Sequence, residues 1–585
     1  MFNNYEIVQM PLTVKRNRAM VESFLAQSQL RLDVVDYYAA VVDKESYEML
    51  AGGGFQNDII KCIAVSETLR GTGMSQQLIS HLISEMNSRG TTSIKVFTKP
   101  GNADIFKSLG FKTIGESSKA LFLENSLEGL TSYTKYLASL KRDGKNGMIV
   151  MNANPFTLGH RYLVEQAAAQ VDNLYVIVVD EDKSLFTSSE RFEMVRLGCE
   201  HIKNAIVCHG SSYIISAATF PSYFIKKMDD VALAQIELDL DVTARHIAPA
   251  LGVSIRFVGS EPTDQLTHNY NEVMKRMLPV HGINVVELTR FKQDEIPVSA
   301  SEVRRLLKAH NFKTASNLVP CTTLPYLIAW LACDSLKQEL ELTPKPGLVD
   351  KHDNGSHIDM DYSTMLLSIN ALRPYFVKLA IIGSKKQMPQ ASIIQKLGIE
   401  AEQKMLNSTN GVNTHRGALF SMGLAIVAAS YTLFNYNCEH FINSWRETII
   451  AISKQMPGGT TTHGANIKKS HNVKGALDIA QGGYQQLIET WLPFYSSNQS
   501  DDNVKHKTLL LIMSQIDDTN VIHRAGIEMA LKVKNNALHL LEDFSIEGLE
   551  QMNQCFIKSN ISPGGAADML SLTIFMNSFI QQEIN

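Results

Sequence analysis

Apolar positions recur with two different periods along this chain, and the change of period divides it. In the first stretch, runs of strand composition at 37–42, 59–65 and 93–98 alternate with an amphipathic helix, QQLISHLISEMNSRG, that opens at RGTGMS (70–75). Glycines 52–54 fit a hairpin between the first two strands, and a short helix ends in SLGF at 108–111. From 146 onward, strands at 148–151, 174–179, 205–208, 255–259 and 285–288 alternate with helices at 160–169 and 189–201. That alternation predicts βαβ units on a parallel sheet. Beyond 320 the strand pattern stops. Long apolar-periodic segments at 323–340, 362–382, 417–434, 441–455, 507–516, 524–541 and 564–580 predict an all-α region. The polar string KRDGKNG (141–147) reads as a linker, so the expected units are 1–140, 146–320 and 321–585, two α/β and one all-α.

Composition narrows the partners. A chain of 585 residues exceeds a single core, and 44% hydrophobic with 19% charged residues describes an ordinary globular protein. A net charge of -4 gives no reason to expect nucleic acid or a membrane surface. The seven cysteines (62, 199, 208, 321, 333, 438, 555) are odd in number and never form CxxC. No disulfide framework and no zinc or haem site is expected, and the cytoplasm is the expected compartment. The N-terminal stretch lacks the apolar core of a secretory signal, and apolar runs such as 323–331 and 423–430 are too short to span a bilayer.

Candidate chemistry concentrates where strand turns into helix. MNANPFTLGH (151–160) is a strand end, a Pro/Gly turn and a helix start, so its unpaired N–H groups and dipole suit phosphate. Asn154, Thr157, Gly159 and His160 are placed to touch it. IPVSASEVR (296–304) offers Ser299 and Ser301 at a second helix start, with Arg304 on the same face to grip a phosphate bidentately. Ser299-x-x-Glu302 also fits a capping box, and both uses are compatible. Arg70, Gly71 and Gly73 form a glycine turn whose amides can cradle a pyrophosphate.

NPFTLGH resembles the (H/T)xGH signature of the nucleotidylyltransferase superfamily, and VSASEVR resembles its ISxSxxR motif. The first stretch resembles the GNAT acetyltransferases, through Arg70–Gly73 with Asn102, Phe106 and Leu109–Phe111. The pair together resembles the [citrate (pro-3S)-lyase] ligase family over about residues 1–320. That resemblance implies a Rossmann-like ligase domain, acetate attack on ATP to give acetyl adenylate and pyrophosphate, and acetyl transfer to the CoA-like thiol arm on the citrate lyase acyl carrier subunit. His160 and Arg304 would offset charge on the departing pyrophosphate, with Thr157 adding a donor. Asn154 stands where many relatives carry Asp, so it is assigned substrate or phosphate contact only. Asp239 and Asp241 read as loop residues after a strand and are left outside the site.

The helical region carries six polar, glycine-containing strings, at 341–361, 411–417, 457–464, 474–483, 517–526 and 562–568. Any one of them could be a cap or turn, but six together suggest a magnesium-nucleotide site. Asp350, Asp359 and Asp361 are the candidate metal carboxylates, alongside Asp353. Lys345, Arg416 and Arg524 are candidate phosphate partners, as are the glycine turns at Gly458, Gly459, Gly564 and Gly565. PKPGLVD (344–350) with Gly355, His357 and 359–361, NTHRGALF, PGGTTTHG and SPGGAADML resemble the triphosphoribosyl-dephospho-CoA synthase family. The resemblance implies transfer of the triphosphoribosyl part of ATP to the ribose 2′-hydroxyl of 3′-dephospho-CoA with loss of adenine, and Asp359 is the candidate catalytic carboxylate.

The whole chain therefore reads as a bifunctional citrate lyase maturation enzyme using ATP and magnesium, with acetate and 3′-dephospho-CoA as further substrates. Two rivals are a cofactor adenylyltransferase fused to a synthase of the malonate decarboxylase type, and a degenerate lyase-binding scaffold.

Overall fold

The computed structural model describes residues 4–180, 184–215, 220, 228–260, 265–293, 296–436, 440–457 and 473–580. It divides into two compact units, Met1–Ala300 and Ser301–Asn585.

The first unit holds two large sheets. One has seven strands: β1 (Tyr5–Gln9), β2 (Tyr37–Asp43), β3 (Met49–Gln56), β4 (Ile59–Val65), β5 (Lys95–Thr98), β6 (Lys112–Glu116) and β7 (Leu121–Glu124), in the order β1-β2-β3-β4-β5-β7-β6. Every pair is antiparallel except β4 and β5, which pair in parallel only at Ile59↔Lys95 and Ile60↔Val96. Past those residues the two strands part, and the helix Met74–Ser88 carries the chain from one to the other. Glycines 52–54 are not a hairpin turn. They lie inside β3, where a Cβ on Gly52 would come within 2.6 Å of the Tyr38 hydroxyl and one on Gly54 within 3.0 Å of its ring. Tyr38 is buried across the strand, and the glycines make room for it.

The second sheet is all parallel: β8 (Asn146–Met151), β9 (Asn173–Val178), β10 (Ala205–His209), β11 (Val253–Gly259) and β12 (Asn284–Leu288), ordered β10-β9-β8-β11-β12. All six residues of β9 are buried, as a strand covered on both faces requires. The order reverses at β8/β11, and the crevice beyond the carboxyl ends of such strands is where ligands of open parallel sheets bind. Asp239 and Asp241 are buried on the helix Met228–Val242, not on a loop after a strand. Asp241 accepts the Glu116 N–H (2.8 Å) and pairs with Arg245 (2.7 Å), tying β6 to this helix. Asp239 accepts from the Ile215 N–H (2.8 Å) and the Tyr270 hydroxyl (2.5 Å). Their pattern looks loop-like because a buried helix lacks a polar face.

Helices are the only regular elements among the described residues of the second unit. Helix Leu324–Leu340 contacts helices Tyr362–Gly383 and Gly564–Ile580, and Arg416–Asn435 contacts both of these. Helices Tyr362–Gly383 and Arg416–Asn435 are long and apolar enough to cross a membrane by length and composition. In Arg416–Asn435 the apolar window is 78% buried within the unit, so its all-round hydrophobicity serves the core.

Candidate active sites

In the first unit the turn after β8 is organised by its own side chains. Thr157 caps the helix Leu158–Ala168, its hydroxyl accepting the His160 N–H (3.3 Å). In return the Thr157 N–H donates to His160 Nδ1 (3.0 Å). This is a capping box with histidine in the third position. Because Nδ1 accepts, the neutral ring carries its proton on Nε2, the nitrogen that faces away from the cap. The Phe156 ring stacks on the imidazole, with centroids 5.8 Å apart and planes at 15°. Gly159 is needed for close approach, since a Cβ there would stand 2.9 Å from the Val298 carbonyl oxygen. That contact brings the start of the second motif, Val298 and Ser299, against the first. Asn154 is buried and accepts the Phe186 N–H (3.2 Å), an anchoring contact within the protein.

In the glycine turn of the seven-stranded sheet, Gly71 and Gly73 hold φ of 77° and 83° just before the helix Met74–Ser88, and open space lies where their Cβ atoms would be. Arg70 is exposed, 3.4 Å from Glu67. The Arg70 and Thr72 amides are taken up inside the turn, by the Glu67 and Leu69 carbonyls at 3.3 Å each, and residues 70–72 are exposed.

The second unit begins within the other half of the second motif. On helix Ala300–Lys308 the Arg304 guanidinium donates to the Ser301 hydroxyl (3.0 Å), and burial lowers its pKa. Further on, three strings distant in sequence converge. His357 Nε2 is 2.8 Å from the Ser562 hydroxyl, and its Nδ1 is 3.3 Å from Arg524 Nη2. Arg524 also donates to the Ser356 carbonyl (3.1 Å) and Asn560 (3.2 Å). Asp359, with its side chain 59% exposed, lies 3.8 Å from His357 Nδ1. Burial, followed by the Arg524 charge, lowers the pKa of His357, which favours the neutral imidazole. The cluster offers an exposed carboxylate, a neutral imidazole and a guanidinium on one surface.

The other candidates of this unit have different neighbours. Lys345 is buried and paired with Glu339 (2.5 Å). Asp350 is buried in a turn, accepting from the His352 and Asp353 amides at 2.7 and 2.9 Å. Asp361 caps helix Tyr362–Gly383, and the Thr364 amide and hydroxyl lower its pKa. Arg416 pairs with Glu402 (3.0 Å). At the start of helix Gly564–Ile580, buried Asp518 accepts the Ala566 N–H (3.0 Å), and a Cβ on Gly565 would reach 3.0 Å from the same carboxylate. One on Gly564 would meet Asn520 at 2.7 Å. Asp518 also caps helix Thr519–Ala525, so one carboxylate serves two helix starts. Gly458 and Gly459 lie outside the described residues. Among the described residues no three His, Cys, Asp or Glu side chains are grouped to hold a metal ion, so Asp350, Asp359 and Asp361 do not form a cage.

Sequence reasoning missed Glu339, Asp518 and Asp568. Asp568 is half-buried against the start of helix Arg416–Asn435, leaving no room for a Cβ at Gly417. Burial, then the charges of Glu339 and Asp518, push its pKa well up. The D-x-N pattern at 518–520 was the one available signal for the double cap.

Comparison with known proteins divides the chain similarly. The family described as citrate lyase ligase C-terminal domain matches residues 146–327, and that described as ATP:dephospho-CoA triphosphoribosyl transferase matches 325–584. The chain is 41% identical over 320 residues to "[Citrate [pro-3S]-lyase] ligase" of Klebsiella pneumoniae, covering 54% of this chain and 93% of that protein. It is 33% identical over 289 residues to "2-(5''-triphosphoribosyl)-3'-dephosphocoenzyme-A synthase" of Haemophilus ducreyi, covering 43% and 88%. A pantothenate synthetase structure from Thermus thermophilus aligns at 16% identity with a TM-score of 0.22, over 35% of this chain and 73% of that one.

Proposed function

The chain belongs to the citrate lyase ligases over its first half and to the triphosphoribosyl-dephospho-CoA synthases over its second, and from that premise we propose how each half works. It is a bifunctional enzyme of citrate lyase maturation, an acid–thiol ligase joined to a transferase. The rival adenylyltransferase and scaffold readings are not favoured.

In the ligase half, an acetate oxygen attacks the α-phosphorus of ATP while the bond to pyrophosphate breaks. A carrier thiol then attacks the acetyl carbon and AMP leaves. The observation that carries this reading is the cap that takes His160 Nδ1 and so sets the ring proton of the neutral imidazole on Nε2. That donor, with Arg304, stabilises charge on the departing pyrophosphate, while Thr157, Gly159, Ser299 and Ser301 position phosphate. The parallel sheet is read as a Rossmann-like nucleotidylyltransferase core. The seven-stranded sheet is read as GNAT-like, its Arg70–Gly73 turn receiving the CoA-like arm of the citrate lyase acyl carrier.

In the synthase half, the 2′-hydroxyl of 3′-dephospho-CoA displaces adenine from the ribose carbon of ATP. Asp359 takes the hydroxyl proton, the departing adenine nitrogen takes one from solvent as its bond to the ribose carbon breaks, and Arg524 pairs with phosphate. Magnesium is assigned to the nucleotide triphosphate itself, and the cytoplasm is the proposed compartment. The test is mass spectrometry of two incubations of the full chain. ATP with dephospho-CoA should give adenine and the triphosphoribosyl adduct. ATP with acetate and the thiol carrier should give acetate-dependent pyrophosphate and an acetylated carrier. Pyrophosphate released only with a phosphorylated cofactor precursor would overturn the ligase assignment.

A further inference from the structure

We infer that Arg191 is a positioning residue of the ligase half, holding the turn that aims His160, and that Phe156 sets the plane of the imidazole; this rests on the reading of that turn given above. Arg191 lies in the first turn of helix Ser188–Gly198 and is completely buried. Its Nη1 donates to the Asn152 carbonyl (2.8 Å), the Asn152 side-chain oxygen (2.7 Å) and the Val179 carbonyl (2.7 Å), and its Nε to the Phe186 carbonyl (3.2 Å). Asn152 and Val179 are the residues immediately after β8 and β9. One cation therefore fastens together the carboxyl ends of two adjacent central strands, beside the crevice where a parallel sheet takes its ligand. Asn154 ties the same region again through the Phe186 N–H (3.2 Å). The segment that leads into Thr157 and His160 is thus anchored to residue 186 and to the helix behind it.

The same helix meets the turn a second time at its far end. Gly198 is buried, and a Cβ there would collide with the Phe156 ring. Phe156 is itself completely buried and stacks on His160. Arg191 fixes the backbone of the turn, and the Gly198 notch fixes the ring against which the imidazole lies. Lysine places its donors on one nitrogen, so it can serve the Asn152 and Val179 oxygens only by giving up the separate Nε bond to the Phe186 carbonyl.

The experiment uses the full chain as Arg191→Lys, Phe156→Leu and His160→Ala, with resistance of residues 1–300 to limited proteolysis as the folding control for the ligase half and adenine release as that for the synthase half. Arg191→Lys should lower kcat for acetate-dependent pyrophosphate release about ten- to a hundredfold, with KM for ATP changed by less than about threefold and adenine release retained. Phe156→Leu, which keeps bulk but removes the stacked ring, should lower kcat in the same direction and shift the acid limb of its pH profile. If Arg191→Lys does not fold, Asn152→Ala, which removes one of the acceptors of Arg191, takes its place, and an unchanged kcat there overturns the positioning role. A folded Arg191→Lys with unchanged kcat and pH profile, alongside an inactive His160→Ala, overturns the positioning role and leaves the reading of the turn standing. A fully active His160→Ala overturns both.

Discussion

The two proposed sites are built in opposite ways. Around His160 the decisive contacts are local: cap and imidazole are three residues apart, and the stacked ring is one further back. Around Asp359 they are remote: His357 meets Arg524 across 167 residues and Ser562 across 205. A strand-to-helix turn supplies donors from its own backbone, so a short motif can carry a phosphate site. Helices present their side chains sideways and leave few free amides, so a polar site in a helical unit has to be gathered from several ends. The difference teaches that single-turn motifs report geometry directly, whereas scattered strings report only that a site exists.

The contrast can be broken most sharply by single substitutions. Asp359→Asn should reduce adenine release by about two to four orders of magnitude, since it removes the proposed base, while acetate-dependent pyrophosphate release stays intact. Loss of both activities would point to unfolding instead. His160→Ala should do the reverse, lowering the ligase rate about a hundredfold or more with adenine release unchanged. If either variant impairs both halves equally in a folded protein, the sites are not independent.

Lys345 separates a structural from a phosphate-binding role. It is buried against Glu339, so Lys345→Met strands a buried carboxylate and should destabilise the helical unit by about 3–5 kcal/mol. Adding Glu339→Met should recover most of that loss in urea unfolding followed by synthase activity. A raised KM for ATP with unchanged stability would instead make Lys345 a phosphate ligand.

The smallest effect is one of pH. His415 is buried with Nδ1 2.7 Å from the Ser368 hydroxyl, and burial followed by the Lys345 charge pushes its pKa down to about 3. The unfolded chain binds a proton near pH 6.5 that the folded unit excludes. The stability is therefore complete above that value and falls as pH drops toward 3, by about 2 kcal/mol between pH 7 and 5. Replacing His415 with Gln should flatten this part of the profile; an unchanged slope would assign it to other groups.

Much of the fold was legible because period follows directly from burial. Strand β4 falls at its expected residues, and β2, β5, β8, β9, β10, β11 and β12 fall within about two residues of theirs. What was misread had a tertiary cause. Glycines 52–54 resemble a turn until Tyr38 is seen to lie over them. Strands β1, β3, β6 and β7 went unrecognised, being short or glycine-interrupted and defined by the neighbours they pair with. Asp239 and Asp241 looked like loop residues because the partners that permit carboxylates inside a helix, Tyr270 and Arg245, lie on other elements or a turn away.

By itself the sequence determined the periods, the caps and the motif residues, because these depend on neighbours within a few positions. It also determined the pairing of two enzymatic families in one chain. Tertiary structure decided the burial and the partners of the polar residues in those motifs. Lys345, Asp350, Asp361 and Gly565 belong to strings as suggestive as those of Asp359 and Arg524. Yet the first four meet a buried carboxylate, a turn, a helix start and a capping aspartate, while Asp359 and Arg524 meet His357 at an exposed surface. Burial and partner set the charge state and availability of a polar group, and both are properties of the packed chain.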